Sequence, residues 1–182
     1  MPAAPRHLTW PFTSPAPDRV WVGDITHLPT REGWLYLAVV VDVCSRRVVG
    51  WAMDPQQKRD LAERALTMAL LQRRPGAEVV LHHDRGSQYT SARYRAKVEA
   101  ANIVLSMSRP GMPYDNAMAE SFFSTLKLEL NPGRAFVSRE AARLAVFDYI
   151  EAFYNRTRMH SALDYQSPAQ YEERPNHLGY VP

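Results

Sequence analysis

Arg109-Pro-Gly-Met-Pro-Tyr-Asp-Asn-Ala-Met-Ala-Glu-Ser-Phe-Phe-Ser-Thr-Leu-Lys-Leu-Glu-Leu130 begins as a loop and ends as a helix. Its two prolines and one glycine exclude regular structure up to Pro113. Asp115 or Asn116 can then cap a helix, because a short polar side chain accepts a hydrogen bond from the free N–H groups of a first turn. Ala119, Phe122, Phe123, Leu126 and Leu130 recur at helical spacing and form a stripe for packing on a core. Asn116, Glu120, Ser124 and Lys127 form the neighbouring stripe. That row holds an amide, a carboxylate, a hydroxyl and an ammonium beside a buried face. A purely solvated face carries the same residue types, so the helix alone does not decide function.

Working upstream, Asp84 closes the apolar run Val79–Asp84, which reads as a strand and is followed by the turn-rich Arg85-Gly86-Ser87-Gln88. A strand apolar along its whole length is expected inside a sheet and covered on both faces. Val20–His27, containing Asp24, reads as the first strand and Trp34–Val43 as the second. Thr30-Arg-Glu-Gly33 between them supplies turn chemistry for an antiparallel hairpin. Arg47–Met53 is a third strand, Asp60–Arg73 a helix stopped by Pro75-Gly76, Ser91–Ala101 a helix with Ser91 as cap, and Ile103–Ser106 a short fifth strand. Downstream, Ser138–Tyr154 is the last long helix, with Leu144, Phe147, Ile150 and Tyr154 expected on one face. Ser167-Pro-Ala-Gln170 has the cap, first-turn proline and reciprocal Gln of a capping box. The order is that of an α/β domain with a five-stranded mixed sheet flanked by helices.

The chain has 182 residues, 46% hydrophobic and 23% charged, which bounds it to about one soluble globular domain. A net charge of +3 is mild, but neutralising a cluster of carboxylates would leave the remaining surface more basic. The single cysteine, Cys44, permits no internal disulfide and fits a reducing compartment. No apolar run reaches the ~18 residues of a membrane span, so no membrane partner is expected. Five prolines fall within residues 1–17, which read as an extended arm. The expected organisation is an arm over 1–17, a catalytic core with a C-terminal helical extension over 18–174, and a tail over 175–182.

Two strand aspartates followed by a helix glutamate, with 35 residues between Asp84 and Glu120, resemble the core of DDE transposases and retroviral integrases. The likeness is strongest to the OrfB-type transposases of bacterial insertion sequences. It rests on Val22-Gly-Asp-Ile-Thr26, Gly33-Trp-Leu-Tyr-Leu-Ala-Val-Val-Val-Asp42, Ser45-Arg-Arg-Val-Val-Gly-Trp51, Asp84-Arg-Gly-Ser-Gln-Tyr-Thr-Ser91, Asp115–Lys127, Tyr154-Asn-Arg-Thr-Arg-Met-His160 and Ser167-Pro-Ala169. The resemblance implies a ribonuclease H-like (integrase core) fold. It also implies a catalytic and metal-binding set of Asp24, Asp84 and Glu120 holding two Mg²⁺ ions, with Mn²⁺ as substitute. Asp24 would bridge both ions, and Asp84 and Glu120 would each complete one shell. The implied reaction is hydrolysis of one DNA strand at an element end, then attack of the freed 3′-OH on a target phosphodiester. Implied partners are element-end and target DNA and a second copy of the chain, as a dimer or larger assembly on DNA. The implied location is the bacterial cytoplasm, associated with the nucleoid. A hydrolysis-only nuclease of the same fold, and a catalytically silent DNA-binding or oligomerisation remnant, are the competing readings. Relatives carry a helical DNA-recognition region ahead of this core, so recognition of element ends is expected to lie outside these residues.

Each chemical residue also has a plain structural reading. Asp24 and Asp84 are strand-end or turn aspartates, Glu120 a solvated helix residue, and Asp42 a turn former or a rival ligand. His82 and His83 are adjacent, so strand alternation sends them to opposite faces. His83 stands where relatives have a small residue, and is either packed or a modulator of Asp84. Asn116 is a DNA-contacting amide or a cap, and Lys127 a DNA contact or a solvated lysine. Arg156, Arg158 and His160 are a phosphate-binding cluster or an ordinary basic helix end, and Arg109 and Arg134 would extend the track.

Overall fold

The computed structural model describes residues 13–174, apart from Arg59, Arg85, Ser87, Thr90, 109–116 and 131–132. Successive side chains of a strand face opposite ways, and β1 (Val20–Thr30) uses both faces. Val20 and Val22 enter one apolar cluster while Trp21 enters the other. β1 pairs antiparallel with β2 (Gly33–Asp42) through a tight turn in which Thr30 Oγ1 donates to the Gly33 carbonyl and Gly33 adopts φ 102°. β2 pairs antiparallel with β3 (Val48–Asp54). Two parallel partners follow on the other side, β4 (Val79–His83) beside β1 and β5 (Ile103–Met107) beside β4. The sheet order β3-β2-β1-β4-β5 is therefore mixed, and β4 lies between two strands. Val79, Leu81, His82 and His83 are all buried, which fits a strand covered on both faces.

One face of the sheet carries α1 (Asp60–Arg73) and α2 (Ala92–Ala100). The approach of α1 to β3 requires Gly50, because a Cβ there would stand 2.3 Å from the Ala65 carbonyl oxygen. Ser91 caps α2 by accepting from the Tyr94 N–H. The other face carries α3 (Ala117–Leu130) and α4 (Arg139–Phe147). Ala119, Phe122, Phe123 and Leu126 are buried and Leu130 packs at the edge of the same cluster, as the stripe predicted. Burying each of these larger side chains contributes roughly 1.5–3 kcal/mol. The proposed caps of α3, Asp115 and Asn116, lie outside the described residues.

The last long helix departs from its predicted face. Ala142, Val146, Tyr149, Ile150 and Tyr154 are buried, whereas Leu144 and Phe147 are 62% and 50% exposed. Two causes combine. The small Ala142 and Val146 let α4 approach the sheet, and the helix passes into a π-helical turn over Asp148–Tyr154, so one 3.6-residue period does not run through it. That turn delivers Asn155, whose amide donates to the Val48 carbonyl and accepts from the Val48 N–H, both at 2.9 Å. Val48 borders a register shift where Val40 pairs with Gly50 but Val41 with Val48, so Asn155 satisfies a strand the bulge leaves unpaired. Finally α5 (Pro168–Glu172) forms with its capping box, and Glu172 accepts from Arg73 of α1 and Arg47 beside β3, at 2.8 and 2.7 Å.

Candidate active site

The β1–β4 ladder runs Val20↔Val80, Trp21↔Leu81, Val22↔His82 and then stops, while β1 continues against β2 alone. At that fork the same offset sets Asp24 level with Asp84, the residue after β4. Open α/β sheets bind ligands at such places, beyond the carboxyl ends of strands where neighbours diverge. Asp24 is half-buried, and its Oδ1 accepts from the Ile25 N–H at 2.8 Å. Burial pushes its carboxyl up to about 7, the Ile25 N–H opposes this, and the charges of Asp84 and Glu120 add to it. The charges of a residue at the end of β4 and of one on α3 thus both reach Asp24 on β1, as smaller contributions beside burial. Asp84 Oδ1 accepts from the Gly86 N–H at 2.9 Å, which is the turn geometry of the plain reading and fixes one oxygen only. Glu120 is exposed in the first turn of α3.

These side chains suit a hard divalent cation. The donors are carboxylate oxygens, and a carboxyl whose pKa is raised chiefly by burial, with a smaller push from two neighbouring acids, is ionised more readily when a cation arrives. Among the described residues no group of three or more His, Cys, Asp or Glu side chains is gathered closely enough to hold a metal ion. Mg²⁺ keeps several waters and needs few carboxylates, so Asp24 and Asp84 are the nearest to a cation site that this structure offers.

Behind the two aspartates stands an aromatic block. His83 Nδ1 lies 3.0 Å from the Gly23 carbonyl, which only accepts, so Nδ1 donates and Nε2 accepts from the Tyr94 hydroxyl. The ring stacks on Tyr89 with centroids 3.9 Å apart. Burial pushes His83 down to about 3, so it is neutral at ordinary pH. His82, on the other face, reaches Ser106 Oγ at 2.8 Å and Ser108 Oγ at 3.1 Å. Thus the residue preceding Asp84 is tied to the residue preceding Asp24. Tyr89 and Tyr94 were missed from sequence. The signals available were Tyr94 three residues after the Ser91 cap, and a glycine within a strand, which marks a close approach.

Asp42 is fully buried away from the trio. Its carboxylate accepts from the Ser45 N–H, the Ser45 hydroxyl and the Asp18 N–H, at 2.8, 3.1 and 2.7 Å, so it forms a turn. His27 is exposed and packs edge-on against Trp34. Lys127 is exposed on α3, and with Arg134 it lines a cleft of about 250 Å³ between α3 and β1. Arg156 is exposed. Arg158 is engaged by Glu129, which accepts from Nε and Nη2 at 2.7–3.0 Å. His160 packs edge-on against Tyr154. Asn116 and Arg109 lie outside the described residues. No described helix is long and apolar enough to cross a membrane.

Comparison with known proteins gives the family and the fold. The family model described as Integrase core domain matches residues 14–113, and a second model of the same description matches 120–175. The transposase for insertion sequence element IS904 of Lactococcus lactis is 47% identical over 162 residues, covering 89% of this chain and 64% of that protein. Transposase InsF for insertion sequence IS3A of Escherichia coli is 48% identical over 174 residues, covering 96% of this chain and 60% of that protein. The chain therefore spans less than two thirds of the length of these relatives. Among solved structures, a chain of the simian T-cell lymphotropic virus intasome in complex with PP2A regulatory subunit B56 gamma superposes with TM-score 0.73 at 20% identity, over 99% of this chain and 62% of that one. The HTLV-2 integrase catalytic core domain in complex with magnesium (trimeric form) superposes with TM-score 0.63 at 17% identity, over 86% and 97%. These likenesses establish a ribonuclease H-like fold.

Proposed function

The chain belongs to the integrase core domain family, and from that premise we propose that it is the catalytic core of a DDE-type DNA transposase. The observation carrying this reading is the electrostatic site shared by Asp24, Asp84 and Glu120 at the fork between β1 and β4. Relatives named as transposases, 47% and 48% identical, support the same substrate class. Asp24, Asp84 and Glu120 would hold divalent ions, two Mg²⁺ or Mn²⁺ by the family's chemistry, and these would neutralise charge on the scissile phosphodiester and on the leaving oxygen. The chain's own part is positional. The His83–Gly23 contact ties the residues preceding the two aspartates together, and buried Phe122, Phe123 and Leu126 anchor α3, from which Glu120 would complete the set. Lys127 and Arg156, both exposed, would meet DNA phosphates, supplying affinity rather than sequence choice.

The unit doing this spans 18–174; the arm expected over 1–17 and the tail expected over 175–182 lie mostly or wholly outside the described residues. It acts on element ends and target DNA, as a dimer or larger assembly, in the bacterial cytoplasm at the nucleoid. The test is cleavage and joining of a labelled, pre-nicked DNA end with Mg²⁺ or Mn²⁺, run beside Glu120→Gln. Metal-dependent joined product that disappears in the variant is expected. Cleavage without joining makes the chain a nuclease. Joining that survives Glu120→Gln removes Glu120 from the site.

A further inference from the structure

A cleft of about 470 Å³ opens on a different flank of α3 from Glu120. At about 100° per residue, its lining residues Ser121 and Thr125 lie about 100–140° around the helix axis from Glu120. None of the three carboxylates lines it. Its other walls carry Arg46, Arg158, His160 and Tyr165.

The polar groups of this cleft are mismatched in one direction. Arg46 adopts φ 63°, a left-handed conformation costly for a side chain of its kind. The turn is held there by Asp42, whose carbonyl accepts from the Arg46 N–H and whose buried carboxylate accepts from Ser45. Strain stabilised by a buried group thus presents a guanidinium to the cleft. Glu129 occupies Nε and Nη2 of Arg158, and Nη1 takes no part in that pair. Among the described residues His160 Nε2 is buried with no hydrogen-bond partner. Burial, with Arg158 and Arg46 nearby, holds the imidazole down at about 4. Two guanidiniums act on that ring against a single carboxylate, Glu129. The cleft has donors and positive charge in excess, and what it lacks is a compact acceptor bearing several oxygens.

We propose that this cleft binds a phosphate group, with Arg46 and Arg158 as its charged ligands, His160 contacting it, and the hydroxyls of Ser121, Thr125 and Tyr165 around it. The phosphate is a DNA phosphodiester or a free anion. The first source rests on the transposase reading, for which the sequence offers Arg158 and His160 as part of a phosphate-binding cluster; the anion site does not depend on it.

The test follows the His160 ring by NMR while inorganic phosphate is added to the metal-free chain, with chloride matching ionic strength. A saturable shift is expected in the wild type, with affinity about tenfold or more lower in Arg46→Gln, since one charge-assisted hydrogen bond is lost. Ser121→Ala, which leaves the strained turn untouched, weakens it less. Duplex DNA is then added. Displacement of phosphate identifies the DNA backbone as the occupant, and phosphate retained beside bound DNA identifies the free anion. No saturable shift, or equal affinity in Arg46→Gln that retains the wild-type melting temperature, overturns the proposal. The assay needs neither metal nor cleavage, so a chain without strand transfer can still pass it.

Discussion

Gly23→Ala is the sharpest probe of how the two aspartates are held. A Cβ at Gly23 would stand 2.2 Å from His83 Cε1 and 2.6 Å from Nδ1. Restoring ordinary carbon–carbon contact needs a retreat of roughly 1.3 Å. The ring has nowhere to go, because it stacks on Tyr89, meets the Tyr94 hydroxyl and is 1% exposed. Overpacking of this kind costs about 1–3 kcal/mol, and the strained hydrogen bonds of a buried imidazole add about 1 kcal/mol. A loss of about 2–4 kcal/mol lowers the melting temperature by roughly 4–16 °C for a chain of this length. Asp24 and Asp84 adjoin the clashing residues, so cleavage should fall further, by about a hundredfold if the carboxylates move by 1 Å. The assay is urea unfolding of Gly23→Ala, His83→Ser and the double variant, with cleavage measured on each. In the double variant the clash is gone, so the two effects should be non-additive by more than about 1 kcal/mol. A Gly23→Ala chain that melts with the wild type, or strictly additive effects, refutes the reasoning.

Three further outcomes are expected. Asp24 has its pKa raised from 3.8 to about 7 in the folded chain, so without divalent ions the native state binds the proton more tightly and stability falls as pH rises through that window. Mg²⁺ displaces that proton, so the stability it adds should grow across the same window; melting curves with and without Mg²⁺ test this, and a pH-independent increment contradicts it. Asn155→Leu leaves the Val48 N–H and carbonyl unpaired in the interior and should cost about 2–6 kcal/mol in urea unfolding, whereas a loss under 1 kcal/mol would mean that water replaces the amide. Lys127→Ala should reduce the slope of log K for DNA against log salt by about 0.9, one phosphate's worth, and an unchanged slope makes Lys127 a solvated residue.

Much of the architecture was legible in the chain because it rests on local rules. Alternating valines, turn chemistry at Thr30–Gly33, and the caps at Ser91 and Ser167 specify strands and helix starts within a few residues of themselves. The apolar stripe of α3 was legible for the same reason, since an amphipathic helix declares its buried face by spacing alone. The face of α4 was not. Which of two apolar stripes turns inward depends on how closely the helix can approach the sheet, and Ala142 and Val146 win over Leu144 and Phe147 by being small. Asp24, Asp84 and Glu120 are singled out by the sequence pattern, but Asp24 and Asp84 come level only because β1 and β4 pair in parallel and part beyond Val22↔His82. The same division explains Asn155, Arg158 and His83. Each reads as polar or basic in the chain, and each finds a partner 29 to 107 residues away. Residue type and spacing determine what a segment can become. Long-range packing, by bringing distant donors, acceptors and volumes together, decides which partner each group finds.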